Sequence, residues 1–139
     1  MSADAIIAKL KLRPHPEGGW YTETWAGPGQ DRVSGTCIYF LLKAGEQNLW
    51  HRVDAAEIWH FYAGAPLILS VAETTAGPVQ PHLLGPDVLA GMRPQVVVQA
   101  GHWQSAATTG GHTLVGCTVS PGFRFEGFEL LPPGVDIPR

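Results

Sequence analysis

The sequence predicts an all-β fold of many short strands with one short helix at its start. Three observations carry that expectation. The chain holds 17 glycines and 12 prolines in 139 residues, a density of breakers that suits turn-rich β folds and not helical bundles. Charged residues make up only 15% and hydrophobic residues 45%, the balance of a compact chain with a core of its own. Between the breakers lie short runs rich in β-branched, aromatic and aliphatic residues, several with the two-residue period of a half-buried strand.

In chain order, the first element is the helix. Ser2 or Asp4 can cap it, and Ile6, Ile7 and Leu10 recur at the spacing of one helical face. The expected helical segment covers residues 1–12, and Arg13-Pro14-His15-Pro16 stops it, because a residue before proline is pushed out of the helical region. Strands are expected at Gly19 to Trp25, Thr36 to Leu42, Leu49 to Val53, Glu57 to Ala63 and Leu67 to Val71. One more lies between Gly77-Pro78 and Gly85-Pro86-Asp87, followed by Gln95 to Val98, His102 to Ala106 and His112 to Val119. In the last of these, Val115, Cys117 and Val119 share one face. Phe123, Phe125 and Phe128 alternate imperfectly, and the proline-rich tail 131–139 reads as irregular. That many short strands in a chain of this length means a sandwich, a jelly roll or a small barrel, folds that often hold one ligand inside.

The same reading bounds the function. No composition shift or linker divides the chain, so residues 1–139 are expected to form a single domain. The longest strongly apolar run, Cys37 to Leu42, is far short of the roughly 20 residues of a membrane span. No charged start leads into an apolar stretch, which argues against a secretory signal and for a cytoplasmic protein. A net charge of -3 without a Lys/Arg cluster argues against nucleic acid as partner. Cys37 and Cys117 each sit in a strand-like run without CxxC spacing, so reduced core thiols are expected.

The densest chemical signal runs from Leu49 to Gly64. It places His51 near the end of one strand and Glu57 at the start of the next. A hairpin turn between them would bring an imidazole and a carboxylate together, the groups needed for acid–base work or for a divalent metal. The alternative is a surface turn with ordinary polar residues. His60 faces the other side of a regular strand and reads as a hydrogen-bonded structural histidine. A second feature is His15 to Thr24, where Glu17-Gly18-Gly19 forms a turn and Tyr21 and Glu23 alternate along a strand. Glu17, Tyr21 or Glu23 can rim a pocket, or the strand simply completes a sheet with its polar groups solvated. His82, His102 and His112 lack an acidic neighbour at useful spacing and are expected at surfaces or turns.

The pattern Gly45, His51, Val53, Glu57, Gly64 resembles the first motif of the cupin superfamily, with Val53 where a second histidine usually stands. Gln99-Ala100-Gly101-His102-Trp103-Gln104 resembles the second motif, with Gln99 replacing a proline and Gln104 replacing a metal-binding histidine. More specifically, the chain resembles the small family known as cupin-5, of unknown function. The resemblance rests on His15 to Thr24, Ile38 to Leu42, Trp50-His51-Arg52, Glu57-Ile58-Trp59-His60, Gly101 to Gln104 and Leu114 to Phe123. It implies a double-stranded β-helix, or jelly-roll barrel, with a pocket inside, often as a homodimer.

The departures from the motifs bear on cofactors. Metal-loaded cupins offer three histidines and a glutamate; the corresponding residues here are His51, Val53, Glu57 and Gln104. Valine ligates nothing, and an amide oxygen is a poor ligand for zinc, copper or iron. The expectation is no cofactor, with a weak divalent-metal site at His51, Glu57 and Gln104 as the alternative. His51 and Glu57 are then the catalytic candidates for a metal-free isomerase or epimerase acting on a small molecule. Gln104, Trp50, Trp59, Tyr39, Phe61, Glu17 and Tyr21 are the ligand-binding candidates. A non-catalytic binding or sensing module using the same cavity is the competing reading.

Overall fold

Ser2 opens the helix α1 (Ala3–Leu10), its hydroxyl accepting from the Ala5 amide at 3.1 Å. Ile6 on its buried face packs with Leu12 and Leu41. The helix ends at Lys11, which turns left-handed at φ 57°, before the prolines that were expected to stop it. The computed structural model describes residues 2–46 and 48–139, so Met1 of the expected helical segment lies outside the described residues.

Among the described residues eleven strands follow: β1 (Arg13–Pro14), β2 (Trp20–Ala26), β3 (Thr36–Lys43), β4 (His51–Val53), β5 (Ala56–Gly64), β6 (Leu67–Ala72), β7 (Gln80–Leu84), β8 (Gln95–Val98), β9 (Trp103–Thr108), β10 (His112–Ser120) and β11 (Phe128–Leu130). They form a six-stranded sheet in the order β1-β2-β3-β10-β5-β8 and a five-stranded sheet in the order β11-β4-β9-β6-β7. All the strand-to-strand pairings within them are antiparallel. This is the jelly-roll architecture that the sequence predicts.

Alternation decides what goes inside. On β10, Thr113, Val115, Cys117 and Val119 are buried while Leu114 and Thr118 between them are half-buried. Opposite them, Phe40 and Leu42 of β3 and Trp59 of β5 fill the space between the sheets with Leu67, Leu69 and Leu84. Trp50 packs elsewhere, with Val79, Trp103 and Ile137, and its indole donates to Asp136 at 2.8 Å. The tail from Leu131 is irregular as expected, yet it is anchored, since Ile137 is only 1% exposed.

Three differences from the sequence reading have physical causes. Arg13–Pro14 is a short edge strand paired with Tyr21 and Trp20, a role proline tolerates only at edges. Phe123 to Phe128 is not one strand. A 3-10 turn at Phe125–Gly127 breaks the alternation before β11. The turn at Asp54-Ala55 is not a hairpin either, because β4 belongs to the five-stranded sheet and β5 to the six-stranded one. The chain crosses between layers there, so His51 and Glu57 approach from opposite sheets.

Candidate functional site

A cavity of about 230 Å³ is lined by residues of both sheets. Its polar wall contains His15, Glu17, His51 and Glu57, and Cys117 lies beside them. Tyr21, Phe123, Phe125 and Phe128 supply an aromatic wall, and Arg13 and Glu23 also line the cavity.

Glu17 arrives by way of a tight turn. The His15 amide donates to the Gly19 carbonyl at 2.9 Å, and the Gly18 amide to the His15 carbonyl at 3.0 Å. Gly19 holds φ +85°, and a Cβ there would come within 2.7 Å of the Phe40 ring. The turn can therefore press against β3 only with glycine at this position. The Leu49 amide donates to the Glu17 carbonyl at 2.7 Å and fixes the loop beside β4.

The phenylalanine segment is fixed as firmly. Phe123 donates its amide to Thr36 Oγ1 at 3.0 Å, Arg32 Nε donates to the Gly122 carbonyl at 2.8 Å, and the Asp54 amide donates to the Gly127 carbonyl at 3.0 Å. The rings of Phe123, Phe125 and Phe128 pack edge to face at 4.9 to 6.0 Å.

The electrostatics centre on one ion pair. His51 Nε2 lies 2.6 Å from Glu17 Oε2, and its Nδ1 lies 2.8 Å from the Leu49 carbonyl. With a carbonyl on one nitrogen and a carboxylate on the other, both nitrogens act as donors and the ring is an imidazolium. Burial pushes Glu17 up and His51 down, but their mutual attraction reverses both. Glu17 is held below the ordinary carboxylate range, and His51 is raised above that of histidine.

Glu57 has a different environment. Burial, and then the negative charge of Glu17, push its pKa up to about 7 against the pull of His51 and of the Gln104 amide. The Gln104 NH₂ donates to Glu57 Oε1 at 2.8 Å, and the Trp59 indole donates to Gln104 Oε1 at 2.6 Å. An indole can only donate, which fixes which way the Gln104 amide points. The Cys117 thiol beside Glu57 is pushed well up by burial and then by that carboxyl, so it stays protonated. Trp59→Phe would leave the Gln104 oxygen, in a residue 1% exposed, without its donor. The expected cost is about 2 kcal/mol, read as a shift of the urea midpoint; an unchanged midpoint would mean that the indole does not anchor Gln104.

The sequence candidates are thus sorted by geometry. Glu17, Tyr21, His51 and Glu57 line the cavity, and Gln104 stands behind Glu57. The expected side-by-side pairing of His51 with Glu57 is replaced by His51–Glu17 and Glu57–Gln104 contacts. Trp50, Trp59, Tyr39 and Phe61 do not line the cavity. Trp59 lies beneath the site, Phe61 packs on the main core, and Tyr39 packs near the helix and against Tyr62. His60 bonds to Thr118 Oγ1 at 3.1 Å and lies 3.3 Å from Gln95 Nε2, away from the cavity. The sequence reading did not single out His15 or the phenylalanine wall. A histidine between two prolines beside Glu-Gly-Gly was the available signal for His15.

The residues present do not fit a divalent cation. Both nitrogens of His51 are engaged, Gln104 turns its NH₂ toward Glu57, and Val53 supplies no donor. Among the described residues, no three His, Cys, Asp or Glu groups converge in a way that could hold a metal ion.

Residues 4–131 match the family model Cupin_5, described as Cupin superfamily (DUF985). The crystal structure of protein SO0799 from Shewanella oneidensis is 39% identical, with 94% of this chain and 85% of that chain covered at a TM-score of 0.88. A hypothetical protein from Leishmania major is 29% identical, with coverages of 97% and 90% and the same TM-score of 0.88. Oxalate decarboxylase from Bacillus subtilis is 13% identical at a TM-score of 0.64, with 85% of this chain and 29% of that one covered, a likeness of fold alone. No protein with a curated description matches.

Proposed function

This chain belongs to the Cupin_5 family of the cupin superfamily, and from its own site we propose that the barrel cavity binds a small carbonyl compound and moves a proton on it without a metal. The observation that carries this reading is Glu57, a buried carboxyl in the cavity wall with its pKa pushed up to about 7. A group of that pKa is a good acid and a good base near neutral pH. Glu57 takes a proton from the carbon next to the carbonyl and returns a proton to that carbon, the exchange step that epimerases and isomerases share. The His51–Glu17 pair does not exchange the proton itself. It fixes one positive and one negative charge beside Glu57, and these adjust a carboxyl pKa that burial raises first, Glu17 pushing it further up and His51 pulling it down.

Hydrogen–deuterium exchange tests the reading. Wild-type protein in D₂O with a panel of aldoses, ketoses and 2-keto acids should place deuterium next to the carbonyl of at least one compound. The rate should rise as pH passes about 7, where Glu57 becomes the base. Glu57→Gln should slow exchange by about 100-fold or more. Exchange that survives this change, or that appears only with an added divalent cation, would sink the proposal. A second reading, binding without turnover, is favoured by the apolar wall of Tyr21, Phe123, Phe125 and Phe128; it predicts ligand binding with no exchange in any member of the panel.

A further inference from the structure

We propose that His15 is the group in this cavity that donates a hydrogen bond to the ligand's carbonyl oxygen, so that the site takes carbonyl compounds whose oxygen becomes negative during the reaction. The inference builds on the role given to Glu57 and adds the second half of that chemistry.

His15 sits in the cavity wall with a side chain only 6% exposed. Its Nδ1 accepts the backbone amide of Glu17 at 3.1 Å. A ring nitrogen that accepts carries no proton, so the neutral ring keeps its hydrogen on Nε2. Burial lowers the pKa of His15, and Glu17, whose Oε1 is 3.9 Å away, offsets this only in part, so the ring is neutral at pH 7. Three aromatic rings hold it in place: Tyr21 at 4.4 Å, Phe40 at 5.9 Å and Phe128 at 6.2 Å, all edge to face.

Nε2 has no protein partner among the described residues. Yet no side-chain nitrogen or oxygen sealed from solvent there lacks a partner. Nε2 is therefore open to the cavity. The contrast with His51 is direct, since both of its nitrogens are spent on Leu49 and Glu17. Of the two cavity histidines, His15 is the one with an N–H to offer. A neutral donor also leaves Glu57 free to act as base, whereas a second imidazolium would pull its pKa down.

The step balances within these groups. The Glu57 carboxylate takes the proton from the carbon next to the carbonyl, and the C–H electron pair becomes a C=C bond. The carbonyl π pair moves onto oxygen, where the His15 Nε2–H donates a hydrogen bond without giving up its proton. Return of the proton from Glu57 to carbon restores the carbonyl. Donors placed where charge develops supply stabilisation that grows along the reaction.

A planar oxyanion, 3,4-dinitrophenolate, probes the donor without a substrate. At about pH 6, Glu57 is largely protonated and does not repel it. Wild-type protein should bind the phenolate and shift its visible absorption. His15→Phe should weaken binding about tenfold to hundredfold, while His15→Gln, which keeps an N–H donor, should retain most of it. The neutral compound 1,2-dinitrobenzene should bind wild type and His15→Phe alike and lose affinity in Phe128→Ala. Nitrogen-15 chemical shifts should report His15 as the neutral Nε2–H tautomer at pH 7. Phenolate binding unchanged in His15→Phe, or a charged His15 at pH 7, would overturn the donor role while leaving the cavity and Glu57 intact. Failure of the neutral compound to bind at all would instead count against the cavity as a ligand site, and the donor role would fall with it.

Discussion

Glu17→Ala is expected to cost about 3–5 kcal/mol of folding stability, the usual penalty for stripping one partner from a buried ion pair. His51 is 1% exposed and Glu17 is 6% exposed, with 2.6 Å between their charged atoms. With the carboxylate gone, a buried imidazolium would have only Glu57 nearby, so His51 must shed its proton to fold. Glu17→Gln should be milder, at about half that cost, because the amide can still meet a neutral His51 Nε2 with a hydrogen bond. The two variants together separate charge from packing.

The pH range follows from the directions of the shifts. Glu17 is depressed below 4.5, so its contribution is complete above that value and is lost as pH falls through its folded-state pKa. His51 is raised above 6.5, so its contribution is complete below that value and is lost as pH rises through its folded-state pKa. Both are fully present between about 4.5 and 6.5. Urea denaturation at about pH 6 is therefore the measurement to make. Equal midpoints for wild type and Glu17→Ala there would refute the buried ion pair.

The strands were legible because their physics is local. On His112 to Ser120 the inward residues Val115, Cys117 and Val119 follow from the two-residue period. Thr36 to Lys43 is legible as a strand from its β-branched, aromatic and aliphatic run instead. There Phe40, Leu41 and Leu42 are all buried, because Leu41 packs under the helix on the other face. The jelly roll and the two cavity residues Glu57 and His51 could also be read, because the first cupin motif holds them at fixed spacing. Three things were not local. Period 2 tells which face a residue takes but not which sheet its strand joins, so the Asp54-Ala55 crossing read as a hairpin. The partner of His51 comes from a turn far earlier in the chain, and only the Gly18-Gly19 bend carries Glu17 into the barrel. The aromatic wall comes from a segment whose 3-10 turn breaks the alternation, so Phe123, Phe125 and Phe128 were not chosen while Trp50 and Tyr39 were. Tyr39 fails by the same alternation that places Ile38 in the cavity, because neighbours on a strand point to opposite faces.

Glu57→Gln should make the protein more stable in alkali, even as it removes the proposed base. The folded state holds the Glu57 proton up to about 7, against 4.5 for an ordinary glutamate. The native state thus binds more protons than the unfolded chain between those values, and stability falls as pH rises through that interval. The gap corresponds to roughly 3 kcal/mol once the carboxylate is fully charged. Glutamine has no charge to bury and can keep its oxygen on the Gln104 NH₂, so this slope should vanish in the variant. The two proteins should have similar stabilities near pH 5, while near pH 9 the variant should be more stable by up to about 3 kcal/mol. Parallel pH profiles would show that Glu57 titrates like an exposed carboxylate and would remove the basis for its acid–base role. Divergent profiles, with exchange activity lost in the same variant, would mean that the chain keeps a destabilising charge for its chemistry, the usual trade between stability and activity.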